Sequence, residues 1–198
     1  MIRRYNGAKA ERRAAREILP AGGYVAKILD AKVQHFDFRN GDSVDKLILS
    51  FDILEGQHAG FFKRDYNQNT NEDKKWRGTY RVNIPKDDGT EQDGWSKNTF
   101  NGVIWALEDS NPGFHFDFDE TQLKGKIVGV LFRNKEWEWE DKTGWTTECC
   151  ALTGAEEIRS GKFKMPKDKP LKKSGSTMSA PSGGGFAEVT DDDGTLPF

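Results

Sequence analysis

The chain is short of sulfur, histidine and long apolar runs, and each shortage removes a class of function. Its 198 residues include two cysteines. They are neighbours, Cys149 and Cys150, a spacing that suits neither an ordinary disulfide nor a zinc knuckle and that points to a reducing, cytoplasmic setting. The three histidines, His35, His58 and His115, are scattered and join no ligand motif. No apolar stretch approaches the roughly 18 residues a membrane span needs. Residues 1–17 are basic but have no apolar segment behind them, so a secretory signal is not expected. There is also no Walker-type Gly-Lys-Ser/Thr loop and no Gly-x-Ser-x-Gly elbow. No cofactor is expected.

What the chain does have is aromatic rings and segregated charge. Six Trp and thirteen Phe in so polar a sequence mean either an aromatic core or a surface that stacks on something flat. The net charge of −2 hides strong local imbalances. Residues 1–17 carry six Lys/Arg against two Glu, residues 162–173 six Lys against one Asp, and residues 186–198 four acids and no base. That leaves the body, residues 18–161, at −7, which weighs against nucleic-acid binding unless its cations gather on one face.

Composition divides the chain into a basic N-terminal arm (1–17), a folded domain (18–165), a flexible linker (166–185) and an acidic tip (186–198). Strand signals dominate the domain. Residues 24–38 are β-prone and end at a turn, Asn40-Gly41. Residues 46–54 alternate, with Leu47, Leu49, Phe51 and Ile53 on one face and Lys46, Ser50 and Asp52 on the other. Residues 61–66 are expected as a short strand, and residues 78–84 as another. One helix is expected, with an N-cap at Ser96 and an apolar stripe of Phe100, Val103, Ile104 and Leu107; Trp105 lies beside that stripe and is expected to pack. Residues 125–133, extended by Trp137 and Trp139, and residues 145–152 then form a hairpin around a turn at 141–144. The expected fold is all-β with one helix, an OB-fold-like five-stranded barrel with the helix between its third and fourth strands, plus a disordered C-terminal tail.

The chain ends Asp191-Asp192-Asp193-Gly194-Thr195-Leu196-Pro197-Phe198 after a Gly/Ser/Pro-rich linker. A terminal Phe offers a ring and an α-carboxylate on one residue. A partner can take the ring into an apolar pocket and clamp the carboxylate with Arg or Lys. Pro197 limits the conformations lost on binding, and the Asp cluster adds attraction to a basic rim. This ending resembles the acidic tip of bacterial and phage single-stranded DNA-binding proteins, the SSB family. Gly194-Thr195 departs from that pattern by widening the gap between the acids and the last three residues. The body is similar, more loosely, to phage-encoded DNA-binding proteins through KLILSFDILEG (46–56) and KEWEWEDKTGWTTE (135–148). The resemblance implies single-stranded DNA as ligand, in replication, recombination or repair inside a bacterial or phage-infected cell. It also implies partner proteins from those processes, reading Asp191, Asp192, Asp193, Leu196, Pro197 and Phe198.

A single-strand binder needs rings for bases and cations for phosphates. Three segments mix the two: Phe62, Lys63, Arg64 and Tyr66; Lys74, Lys75, Trp76, Arg77, Tyr80 and Arg81; and Arg133, Lys135, Trp137 and Trp139. The second is the densest, because its bases cluster in an otherwise acidic body. Either Phe61 or Phe62 must face the core if the segment is a strand.

Two alternatives stand beside DNA binding. Asp117, Asp119 and Glu120 are a weak candidate Mg²⁺ set of the kind a nuclease uses. A replisome adaptor that never touches DNA would explain the acidic body and keep the tip as its recruiting element. No membrane contact is expected. An OB edge can pair with a second copy, so a homo-oligomer stays open.

Overall fold

The computed structural model describes residues 17–39, 41–140 and 142–171. The basic arm up to residue 16, residues 172–185 of the linker and the whole acidic tip lie outside the described residues.

Five antiparallel strands form one sheet in the order β3-β2-β1-β4-β5. β1 (Gly22–Asp37) is its long centre, pairing with β4 (Ile127–Trp139) through its first residues and with β2 (Ser43–Ile53) through the rest. Between Ile28 and Asp30 it carries a bulge, which leaves Leu29 out of the register with β2 and bends the ladder. β3 (Thr79–Asn83) completes one side beside β2, and β5 (Lys142–Thr153) completes the other beside β4. β3 and β5 approach each other, yet no ladder joins them among the described residues, so the sheet is open along that seam.

The alternation in β2 is a core-facing pattern: Leu47, Leu49, Phe51 and Ile53 are all buried. Phe51 sits at the centre, edge-on to Phe62 (5.8 Å between centroids) and to Phe132 (6.2 Å). Lys46 departs from the expected polar face. It is buried, with its ammonium 5.5 Å from the Phe36 ring.

Among the described residues three α-helices accompany the sheet, where one was expected. Residues 61–66 belong not to a strand but to α1 (Phe61–Gln68). The Asp52 carboxylate accepts the N–H groups of Phe62 (2.9 Å) and Lys63 (3.3 Å), supplying the N-terminal acceptor that Gly60 cannot. Helical neighbours are separated by about 100°, so both Phe61 and Phe62 are buried rather than one of them.

α2 (Glu91–Ser110) starts well before Ser96. Its N-cap is Thr90, whose hydroxyl accepts Asp93 N–H at 3.1 Å. The expected stripe does face the core, with Phe100, Val103 and Leu107 buried and Ile104 packed at its edge. Trp105, by contrast, is half exposed. α2 lies across the seam, in contact with β3, β4 and β5. A five-residue helix α3 (Ala155–Arg159), not anticipated, follows β5.

The β4–β5 hairpin is tighter than expected. Lys142 already pairs with Trp139 and Gly144 with Trp137, inside the turn expected at 141–144. Past α3 the chain returns to the sheet. Lys169 N–H donates to Asn134 O (2.8 Å) and Glu136 N–H to Lys169 O (2.9 Å), which lays residues 168–171 along β4 beyond the boundary expected at 165.

A candidate nucleic-acid interface along the open seam

The seam between β3 and β5 is a cleft of about 580 Å³. One wall is the approach to β3 and the strand itself, where alternation turns Tyr80 and Val82 inward and leaves Arg81 exposed. Arg77 stands just ahead, its guanidinium 3.8 Å from the Asp65 carboxylate. The other wall is formed by β4 and β5 past Phe132, carrying Arg133, Lys135, Glu148 and the two cysteines. Phe61, Phe62 and Phe132 line the floor, and Trp95 with Asn98 and Thr99 of α2 closes one end. Glu17, Ile18, Leu19 and Lys169 complete the rim. Five cations therefore meet two carboxylates in the cleft.

Local pairing explains how distant residues arrive there. A shift between Leu131 and Phe132 makes Cys150 the extra residue of β5, its thiol 3.3 Å from Leu131 O. Thr147 Oγ donates to Leu19 O (2.8 Å), tying the entering chain to the rim. Asn134 donates to Asp168 (2.9 Å) and Glu136 accepts from Leu171 N–H (3.0 Å), which fixes the segment that delivers Lys169.

Burial pushes the Tyr80 phenol and the Cys149 thiol well above their ordinary values, so both stay protonated near neutral pH. For Glu148, burial alone would raise the carboxyl. Hydrogen bonds and attraction from Lys135 and then Arg133 outweigh it and hold the group below the usual carboxylate range. No histidine lines the cleft. Asp119 of the candidate Mg²⁺ set instead accepts Thr121 N–H (3.0 Å) and Oγ–H (2.7 Å), capping the short turn Glu120–Leu123. Among the described residues no three His, Cys, Asp or Glu side chains gather as a metal site, and no helix is long and apolar enough to cross a membrane.

Of the sequence candidates, the cleft brings together Arg77, Tyr80, Arg81, Arg133 and Lys135, with Phe62 beneath them. Phe62 is a core residue, stacked on Phe132 (6.1 Å, 27° between planes), and offers at most one edge. Lys63, Arg64, Tyr66, Lys74, Lys75 and Trp76 lie outside the lining. Trp76 is pinned by its indole N–H to Phe51 O (3.0 Å) and Gly78 O (3.1 Å), while Lys74 sits over the Tyr66 ring (4.6 Å).

Trp137 and Trp139 stand farther along the hairpin, partly exposed, on the face they share with Lys135 and Lys142. The indole of Trp137 lies against Gly144, which has no side chain to displace it. Trp145 falls on the opposite face with Glu136 and Glu138. Asp191, Asp192, Asp193, Leu196, Pro197 and Phe198 are outside the described residues. Trp95 and Glu148 were not anticipated, and Lys169 only as one of the six lysines of the basic stretch 162–173. A Thr90-x-x-Asp93 helix-start signal would have moved Trp95 into the helix, whereas nothing local singles out Lys169 among those lysines.

Compared with known proteins, the chain matches no family model and no curated protein.

Proposed function

We propose that the protein binds single-stranded DNA in the seam between β3 and β5 and along the Lys135, Trp137, Trp139 face of the β4–β5 hairpin, and that its acidic tip recruits replication, recombination or repair proteins. One observation carries the reading. The segments 74–81 and 132–139, singled out for mixing rings with cations, supply opposite walls of one cleft through Arg77, Tyr80 and Arg81 and through Arg133 and Lys135. Bases would stack on Trp137 and Trp139, each worth about 1–3 kcal/mol, while the cations follow the backbone.

The strand order adds support. β3-β2-β1-β4-β5, with α2 between β3 and β4, is the order of an OB barrel cut between its third and fifth strands. We read the fold as a partly open OB barrel with α2 in contact with both sides of the seam. Recruitment by the tip rests on the sequence pattern of Asp191 to Phe198 alone.

Titrating the full-length protein with a single-stranded oligonucleotide and a matching duplex, at two salt concentrations, tests the proposal through Trp fluorescence. Quenching by the single strand that weakens with salt, and that an Arg77→Ala/Arg81→Ala double variant loses, is the expected result. No response to either nucleic acid would leave the tip as the only functional element, and the protein would be an adaptor.

A further inference from the structure

Glu148 is surrounded in a way a simple ion pair does not require. Arg133 places both Nε and Nη2 2.9 Å from its Oε1, Lys135 Nζ is 3.0 Å from its Oε2, and Lys169 Nζ is 4.0 Å from Oε1. The three cations come from two separate parts of the chain, β4 and the returning segment that pairs with it. All four side chains line the cleft, and Glu148 is only 26% exposed. Glu148 therefore lies among three positive charges in a partly dry setting.

We propose that Arg133, Lys135 and Lys169 form a single phosphate subsite whose place Glu148 holds until a nucleic-acid phosphodiester displaces it. This rests on the function proposed above and names the subsite within it. A phosphodiester presents two charged non-bridging oxygens, as a carboxylate does, and a guanidinium accepts either in the same fork geometry. Glu148 then has two roles. It keeps three like charges together in the free protein, and it weakens the hold on any anion that makes only one contact in the cleft.

A purely structural clamp predicts the opposite response to mutation, so Glu148→Gln decides between them. With the carboxylate gone, a single-stranded oligonucleotide should bind roughly threefold to tenfold tighter at low salt. The slope of log K against log salt should steepen by about 0.7, the share of one more phosphate contact on a single strand. Lys169→Gln should weaken binding and flatten the slope by about the same amount.

A parallel titration with inorganic phosphate, followed through the Arg133 Nε–H NMR signal, reads the subsite without any oligonucleotide. The signal should move at lower phosphate in Glu148→Gln than in the wild type. Equal or weaker oligonucleotide binding by a folded Glu148→Gln protein overturns the proposal, as does an Arg133 signal indifferent to phosphate in every protein. Should Glu148→Gln fail to fold, unchanged affinity and slope in Lys169→Gln overturns it instead. If the wild type ignores oligonucleotides while the phosphate titration behaves as stated, single-strand binding fails and the anion site stands.

Discussion

The same chemical change at two glycines should move stability in opposite directions. At Gly78, just ahead of β3, an added Cβ would lie 2.3 Å from Phe51 O and 2.7 and 2.8 Å from two ring atoms of Phe62. The first neighbour is backbone and the second is locked in the core, so neither can give way cheaply. Gly78 O also accepts Phe51 N–H (2.8 Å) and the Trp76 indole N–H (3.1 Å), and moving the backbone lengthens both. Overpacking costs about 1–3 kcal/mol, and each weakened hydrogen bond adds about 1 kcal/mol. A net loss of about 3 kcal/mol for Gly78→Ala corresponds to roughly 6–12 °C in Tm for a unit of this size. Gly102, midway along α2, has nothing within 4 Å of an added Cβ. Gly102→Ala should gain about 0.8–1 kcal/mol of helix propensity and raise Tm by about 2–4 °C. Scanning calorimetry of the two variants beside the wild type is the assay. Because β3 carries Tyr80 and Arg81, Gly78→Ala should also bind oligonucleotide more weakly, whereas Gly102→Ala should not. A Gly78→Ala protein that melts with the wild type would refute the close approach of β3 to Phe51.

Two further outcomes follow from the rims of the sheet. His35 is held between Asp45 (2.6 Å) and Asp37 (3.1 Å), and the Asp45 hydrogen bond is the main cause that raises it above its ordinary 6.5. A raised folded-state value means the stabilisation is full below pH 6.5 and lost as pH climbs through the higher value, so the wild-type Tm should fall between pH 6 and 8 more than that of His35→Gln. Parallel melting curves across that range would contradict the doubly bonded imidazolium. Trp137→Ala should weaken single-strand binding by about 1–3 kcal/mol without altering its salt slope, since a ring and not a charge is removed. Unchanged affinity in an anisotropy titration would remove Trp137 from the track.

Elements whose periodicity runs long enough were legible from the sequence. The four alternating apolar residues of β2 and the Phe100, Val103, Leu107 stripe of α2 each repeat often enough to separate a period of 2 from one of 3.6. Residues 61–66 do not. Two Phe followed by charged residues fit either element, and the deciding group, the Asp52 carboxylate that receives the helix N-terminus, belongs to a different segment. Residues 91–95 fall outside the helix expected from Ser96. Yet Asp93 accepts Lys86 and Asp87 N–H (2.8 and 3.0 Å) and so builds the loop that starts the helix. In the cleft, clustering of bases exposed Arg77, Arg81, Arg133 and Lys135. Lys169 belongs to the basic stretch 162–173, and what singles it out there is a backbone ladder to Asn134 and Glu136 that brings it across from far along the chain.

The acidic body was the strongest argument against a nucleic-acid interface, and it weakens once the individual acids are located. Asp52 accepts the start of α1, Asp93 the β3–α2 loop, Asp119 the turn before β4, and Asp88 accepts Thr90 N–H at 3.0 Å. Glu108 takes Phe116 N–H (3.0 Å), and Glu55 pairs with Arg159 (2.7 Å). Apart from Glu55, which pairs with a guanidinium, these carboxylates accept N–H groups on loops and helix ends, and none of the six lines the seam. Screening limits the reach of exposed charges to about 10 Å at 0.1 M salt, so a phosphate entering the seam responds to Arg77, Arg81, Arg133, Lys135 and Lys169 more than to the whole-body sum of −7. The same reasoning ranks the mutations. Neutralising Asp88 or Asp119 should cost local stability and leave oligonucleotide affinity almost unchanged, whereas Glu148, one of the two carboxylates in the lining, is the acid whose removal should be felt by the ligand.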